Sequence, residues 1–520
     1  MLRPSRPVAG ALLALACAAC FERGGKAKIV ADDGRPAAAL AVDAAGDGGW
    51  LVRDPDGPAD PAATVTIALE AEPASLDVFV SADATLARVL GDVYEGLLCA
   101  PPGGEPVACL AERFEVSDDG RSWRFQLRPG VTFHDGSRLT ARDVIASVDR
   151  AARGPLLPLL DDLVAVGSPA TDEVELTFSG VRATRARDLA MVPIAPAHAL
   201  HGLHERSIGT GPLALTSWRR SEAIELARAE HYWGPPARAA RVRHRVVADR
   251  AEALRLLAAG AIDVVVQIPI ADAMSAANAG TARFRYEQPA FLAAVYNARR
   301  PALMSPAVRR ALTALLDRDG VARTILGGAR VPSGPWPPGS READPQIRPV
   351  PFDRALAQRL LGDARPSLQV LVPRGSTSAA RIADVWAADA RGLATLAVIS
   401  VPFAELLGRL AAGDFDVAIT SMSGGPDVDL WSRLSSQAPP SEAWCGLSDP
   451  TLDELLATHR SSLEPAARAA AARAVHRRID ELQPMAFIAV DTRAGVARAG
   501  VGGVTGGLPP RTRDLWKRAP

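Results

Sequence analysis

At 520 residues, with 48% hydrophobic and 23% charged side chains, the chain is too long for one hydrophobic core and too apolar to be disordered. Lys and Arg together number 59 and Asp and Glu also 59, so no net field draws in nucleic acid or anionic lipid. No basic run supplies a local one, which argues against nucleic-acid binding.

The first twenty residues, MLRPSRPVAGALLALACAAC, place two arginines before a short apolar run at 8–16. A run of that length reads as a signal-peptide core, too short to cross a bilayer of roughly 30 Å as a helix. Small residues leading into Cys17 resemble a bacterial lipoprotein processing site; Cys20, with Cys17 at its third upstream position, is the alternative, and a plain secretory signal the bland reading. Residues 1–17 therefore read as a lipoprotein signal peptide, its processing leaving an exported chain held by an N-terminal acyl anchor. Residues 18–62, rich in Ala, Gly, Asp and Pro without helix or strand period, read as a flexible tether.

From TVTIALEAEPASLD (64–77) onward, strand-like and helix-like segments alternate, which argues α/β. Export permits disulfides, and Cys99 and Cys109 flank the turn-rich APPGGEPVA, so these two are the expected pair. Cys445 is then a buried thiol, and no Cys-x-x-Cys pair survives processing to hold a metal.

The stretch RPGVTFHDGSRLTARDV (128–144) is dense in polar residues and invites a catalytic reading. It follows the alternating Trp123, Phe125 and Leu127 of a half-buried strand; Asp135-Gly136 is a turn pair, and Thr140 with Asp143 forms a capping box. Turn and cap account for His134, Asp135 and Asp143 without catalysis. In HALHGLH, His198, His201 and His204 do not share one helical face, so a three-ligand metal site is strained there. Sequence patterns for a phosphate-cradling loop, a nucleophile elbow and a zincin helix are all absent.

Farther on, PAVRRALTALLDRDGVA (306–322) has an apolar stripe at Val308, Ala311, Leu312, Leu315 and Leu316 and reads as one helix, with Arg309, Arg310 and Asp317 on a solvated face. Between 367 and 427 the pattern is strand, helix, strand, helix, strand, a doubly wound unit with a parallel sheet. Two loops, PRGSTS and SMSGGPDVD, leave the carboxyl ends of its strands and are expected to face one crevice. A final helix is read at 467–482.

Taken together, EPASLD (72–77), VYEGLL (93–98), the LRPGVTFHDGSRLTARDV stretch, GTGPLALTSW (209–218), HYWG (231–234), LRLLAAGAIDVV (254–265), YNARRP (296–301), VPSGPWPPG and GDFDVAITSMSGGPDVDLW form an ordered series. It resembles the extracellular solute-binding proteins of family 5, the peptide- and nickel-binding group that serves ABC importers, over residues 66–500. The resemblance implies an α/β type II periplasmic-binding fold of the cluster C kind, with two lobes, a hinge and an extra subdomain. Lobe I is expected at 63–97, 191–285 and 485–520, the extra subdomain at 98–190 and lobe II at 286–484. It also implies a monomer that closes on a small peptide or other small solute and passes it to permease subunits, with no catalysis, cofactor or metal.

By the same resemblance, Arg374 matches the arginine that holds a ligand carboxylate, and its planar fork suits that role. Ser421, Met422, Ser423, Gly424, Asp427 and Phe79 complete the expected ligand contacts. Gly424 stands where peptide-binding relatives carry an amine-binding aspartate; Asp427 or Asp429 is left to supply a counter-charge. Leu213 and Val78 also depart from the family's usual Tyr and Pro. A nickel or metal-chelate receptor and a degenerate relative acting as a sensor are the alternatives; an exported hydrolase finds no nucleophile and base.

Overall fold

The computed structural model describes residues 50, 54–81, 84–101, 104–276, 278, 280–425, 428–504 and 510–519. The expected signal peptide, Cys17, Cys20 and the tether up to residue 49 lie outside the described residues, as does Asp427.

Ten strands form one sheet: β1 (Thr64–Leu69), β2 (Leu213–Arg219), β3 (Ala223–Arg228), β4 (Arg241–Val246), β5 (Val264–Ile268), β6 (Thr281–Tyr296), β7 (Ser367–Pro373), β8 (Thr395–Val401), β9 (Val417–Ser423) and β10 (Met485–Arg498). Their order across the sheet is β8-β7-β9-β6-β10-β5-β1-β4-β3-β2. The unit read at 367–427 is present as β7, β8 and β9, with helices Thr377–Asp389 and Phe403–Ala412 as crossovers and with β7 parallel to both its neighbours. A separate four-stranded antiparallel sheet is built from Ala111–Val116, Ser122–Leu127, Leu163–Gly167 and Glu173–Phe178.

Two long antiparallel strands, β6 and β10, join the two halves of the large sheet. Phe284 and Tyr286 of β6 pack into one core with Val65, Leu90 and Leu226, whereas Phe291, Ala293 and Val295 pack into another with Trp336, Leu406 and Val475. Between them, at 287–290, no side chain belongs to either core, and the ladder to β10 shifts register between Glu287 and Phe291. Pro289 sits in that gap, where the absent N–H of proline costs no ladder bond. Two of the four buried clusters, set on either side of this gap and joined across it by β6 and β10, mark the two-lobed architecture of a type II binding fold.

The polar stretch at 128–144 is local scaffolding. Asp135 Oδ1 accepts from Ser137 N (2.9 Å), and Asp143 Oδ2 accepts from Thr140 N (2.9 Å) at the start of the helix Ala141–Ala151. His134 Nε2 lies 2.8 Å from Gly211 O. His198 pairs with Asp135 at 2.9 Å and His204 approaches Glu205 at 3.6 Å, so those histidines are engaged separately.

The run 306–322 departs from the single helix read above. The structure has Pro306–Ala314 and Arg318–Thr324, because Asp317 caps the second by accepting from Gly320 N at 2.8 Å. Arg309 is not on a solvated face either; it is 1% exposed. Its guanidinium donates to Leu303 O (2.6 Å), Met304 O (2.9 Å) and Gln483 O (3.0 Å), and also to Leu482 O. These include carbonyls at the end of the helix Pro465–Leu482, which have no intrahelical partner and favour a cation. Burial lowers its pKa, and the acceptors make that burial tolerable.

Replacing Arg309 with Met orphans these carbonyls and is expected to destabilise the fold by roughly 2–4 kcal/mol, read as a lower urea midpoint at unchanged slope. A second expectation concerns pH. His244 on β4 is 1% exposed with neither ring nitrogen bonded among the described residues, and burial, then the charge of Arg88, pushes its pKa down to about 3. The folded state keeps this ring neutral while the unfolded chain protonates it below its ordinary value near 6.5, so stability falls as pH drops from about 6.5 towards 3. Urea titrations should show that slope, and His244→Leu should flatten it.

Candidate functional site

A cavity of about 1910 Å³ lies between the two cores, with Tyr286 to Phe291 of β6 and Val490 and Thr492 of β10 along its floor. It exceeds the roughly 300–1,000 Å³ typical of a pocket for a drug-sized ligand. One wall comes from the segment 91–96, Tyr232, Trp233 and Arg511–Arg513; the opposite wall comes from the proline-rich loop 334–339 and from 422–425 and 428–433. The described site is thus assembled from segments more than 400 residues apart in sequence.

Close backbone approach places the first wall. A Cβ on Gly209 would lie 2.0 Å from Val93 O, and one on Gly211 2.3 Å from Asp92 O, so only glycine lets the GTG turn press against 92–93. That contact holds Glu95 at the cavity, where it accepts from Tyr232 Oη (2.7 Å), Trp233 Nε1 (2.8 Å) and Thr210 Oγ1 (3.0 Å). Burial raises the pKa of Glu95, and those three donors, with the charge of Arg513, oppose the rise. Asp92 beside it is also pushed up by burial, against Arg511 at 3.9 Å and the Arg513 backbone N–H at 2.9 Å.

Next to Glu95, Leu98–Cys99 and Val107–Ala108 pair as a hairpin that Cys99 and Cys109 close as a disulfide, their Cα atoms 5.2 Å apart. Both of its strands line the cavity. The only cluster of metal-ligating side chains among the described residues, Glu95 with Cys99 and Cys109, has both sulfurs tied up in this bond. Cys445 is buried and free, its thiol pushed up to about 12 by burial.

The structure divides the residues expected to meet ligand. Met422, Ser423 and Gly424 line the cavity. Arg374 does not: it is exposed, its N–H donates to Val401 O (2.7 Å), and β7 ends level with Thr420 while β9 runs on to Ser423. The loop after β7 therefore stops short of the cleft, and PRGSTS and SMSGGPDVD do not share it. Ser421 alternates outward on β9, and Phe79 is a core residue, 2% exposed, under the Arg150 guanidinium at 5.2 Å. Its aromatic bulk thus serves the packing of the core instead of a ligand.

Glycine at 424 has a packing cause. A Cβ there would lie 2.8 Å from the Phe291 ring and 2.9 Å from Pro335 O, while Gly424 N donates to Pro289 O at 2.9 Å. Residues 105–440 match the family described as bacterial extracellular solute-binding proteins, family 5 Middle. The chain belongs to this family. It is 27% identical over 458 residues to Protein XP55 of Streptomyces lividans, covering 81% of this chain and 82% of that one. It is also 27% identical to the probable di/tripeptide-binding protein 5 of Pseudomonas aeruginosa, covering 77% of this chain and 85% of the other. In fold it is similar to the periplasmic binding protein DppA of Helicobacter pylori in complex with the peptide STSA, with a TM-score of 0.74 at 19% identity over 88% of this chain and 98% of that one. No helix among the described residues is long and apolar enough to cross a membrane.

Among family 5 solute-binding proteins, this chain's cleft has residues that its motifs did not single out. Trp336 inside VPSGPWPPG is 1% exposed and lines the wall formed with 422–425, and Glu95 inside VYEGLL lines the opposite one. Both stood in segments recognised as a series, but nothing in their spacing marked them as cavity residues. Restoring an acidic side chain by Gly424→Asp is expected to lower stability by about 1–3 kcal/mol through overlap with Phe291 and Pro335, measured as a lower melting temperature.

Proposed function

We propose that this family 5 protein is the lipid-anchored binding subunit of an ABC importer, taking a small peptide or a related small polar solute into the interlobe cleft and handing it to permease subunits. The observation that carries this reading is the cavity of about 1910 Å³ set between two separate cores, with the middle of β6 and β10 along its floor. Two strands without a core between them are a natural hinge, and a solute touching both walls favours the closed arrangement by its differential affinity for it. Met422, Ser423 and Gly424 on one side and Glu95 on the other are the proposed contacts, and acylation is proposed at Cys17 or Cys20. Nothing in this role needs a bond in the solute to be made or broken.

Native mass spectrometry of protein purified from its own host is the direct test. A co-purifying peptide or small polar solute, with a smaller radius of gyration in its presence, is expected. A bound metal, or a mass change in the solute after incubation, would overturn the reading. Metabolic labelling with palmitate should mark the wild type, and Cys17→Ala or Cys20→Ala should abolish the label according to which cysteine is acylated.

A further inference from the structure

The disulfide-closed hairpin beside the cleft carries a contact across to the opposite lobe. Its tip carries Glu105, whose carboxylate meets Arg341 and also Arg468, the latter with nitrogen to oxygen distances of 3.2 and 3.3 Å. Both arginines belong to the opposite lobe: Arg468 lies on the helix Pro465–Leu482 and is 6% exposed, and Arg341 is steadied by Glu342 at 2.7 Å. On its own side the tip is held by Arg187, which donates to Gly104 O at 2.7 Å. A second contact spans the same gap, from Ala183 N to Arg460 O at 2.6 Å. Within the hairpin, Leu98 pairs with Ala108 and Cys99 with Val107, so the ladder is only two residues long and the disulfide, spanning 10 positions, is what confines the tip.

We propose that this hairpin is an interlobe latch: Glu105 docks between Arg341 and Arg468 when the lobes approach, and the Cys99–Cys109 bond is a positioning element that keeps Glu105 aimed at them. The proposal rests on the hinge-closing reading of the cleft and adds to it a device that biases closure before any solute binds. It also makes closure sensitive to thiols. A dithiol reductant attacks one sulfur and then resolves, leaving two protonated cysteines and the reagent as its own cyclic disulfide, so atoms and electrons balance. The freed hairpin loses its constraint, and Glu105 then docks from a broader ensemble at a greater entropic cost.

The test is small-angle X-ray scattering on the full exported chain, ligand-free, with far-UV circular dichroism as a check on folding. Glu105→Gln and, from the other lobe, Arg341→Gln are each expected to raise the radius of gyration, with the closed-to-open ratio falling by up to about fivefold. Dithiothreitol should do the same to the wild type and add nothing to Glu105→Gln, because both act through one contact. Unchanged scattering in both variants would overturn the latch. Equal opening by dithiothreitol in wild type and in Glu105→Gln would overturn the role assigned to the disulfide. Neither result depends on solute, so a failed latch and a failed solute-capture reading are told apart.

Discussion

The rest of the molecule depends on the pairing of β6 with β10. These strands carry the chain between two cores and expose their middle to the cavity, so their backbone polar groups must be satisfied by each other where no packed layer covers them. The ladder does this on both sides of the gap, from Thr281 opposite Arg498 to Val295 opposite Met485; it gives way between Glu287 and Phe291 and shifts once more between Leu292 and Ala293. A continuous ladder would transmit bending stiffness from one lobe to the other. The wider of the two shifts falls at 287–290, where neither core reaches, so it interrupts the ladder without disturbing the packing of either core.

Each lobe then needs its own means of burying what the interleaved chain brings inside. Around the β7–β9 unit the answer includes arginines: Arg309 and Arg318 are almost wholly buried and donate mainly to backbone carbonyls, Arg318 to Phe487 O at 2.8 Å. Neither neutralises a carboxylate there. Each instead satisfies acceptors that helix ends and strand edges leave over, with a guanidinium fork offering several donors from one side chain. Hence a chain of zero formal net charge still holds buried cations at defined places, and why the amphipathic stripe at 306–322 misassigned Arg309: periodicity reports which face is apolar, and a long arginine rooted at the edge of that face folds under it.

What the sequence made legible follows the range of the interactions involved. The doubly wound unit at 367–427 was readable because β7, β8 and β9 are contiguous in sequence and their alternation with helices is a local property. The capping of Ala141–Ala151 was readable for the same reason. The crossing strands were not, since β6 contains Pro289 and its partner β10 begins 189 residues after β6 ends, so no local window contains the pair. The site suffered in the same way. Arg374 was placed by its position after a strand, yet whether that loop reaches the cleft is decided by how far the neighbouring strand overshoots, which only the register of β7 against β9 reveals. Met422, Ser423 and Gly424 line the cavity because β9 runs three positions beyond the end of β7.

An exposed ion pair is well matched to a closing device because it is weak. Glu105 and Arg341 are each 48% exposed at the side chain, and pairs of that kind contribute about 0–1 kcal/mol, a few-fold in population. A solute bridging two walls of a cavity this size has far more contact available, so its binding decides which state dominates while the latch sets only the starting ratio. A buried, tightly paired bridge at the same place would hold the cleft shut against release, and desolvating it on every closure would cost several kcal/mol. Placing the pair at the rim, with Arg468 supplying the one well-shielded partner, keeps both opening and closing within reach of the differential affinity of a small ligand.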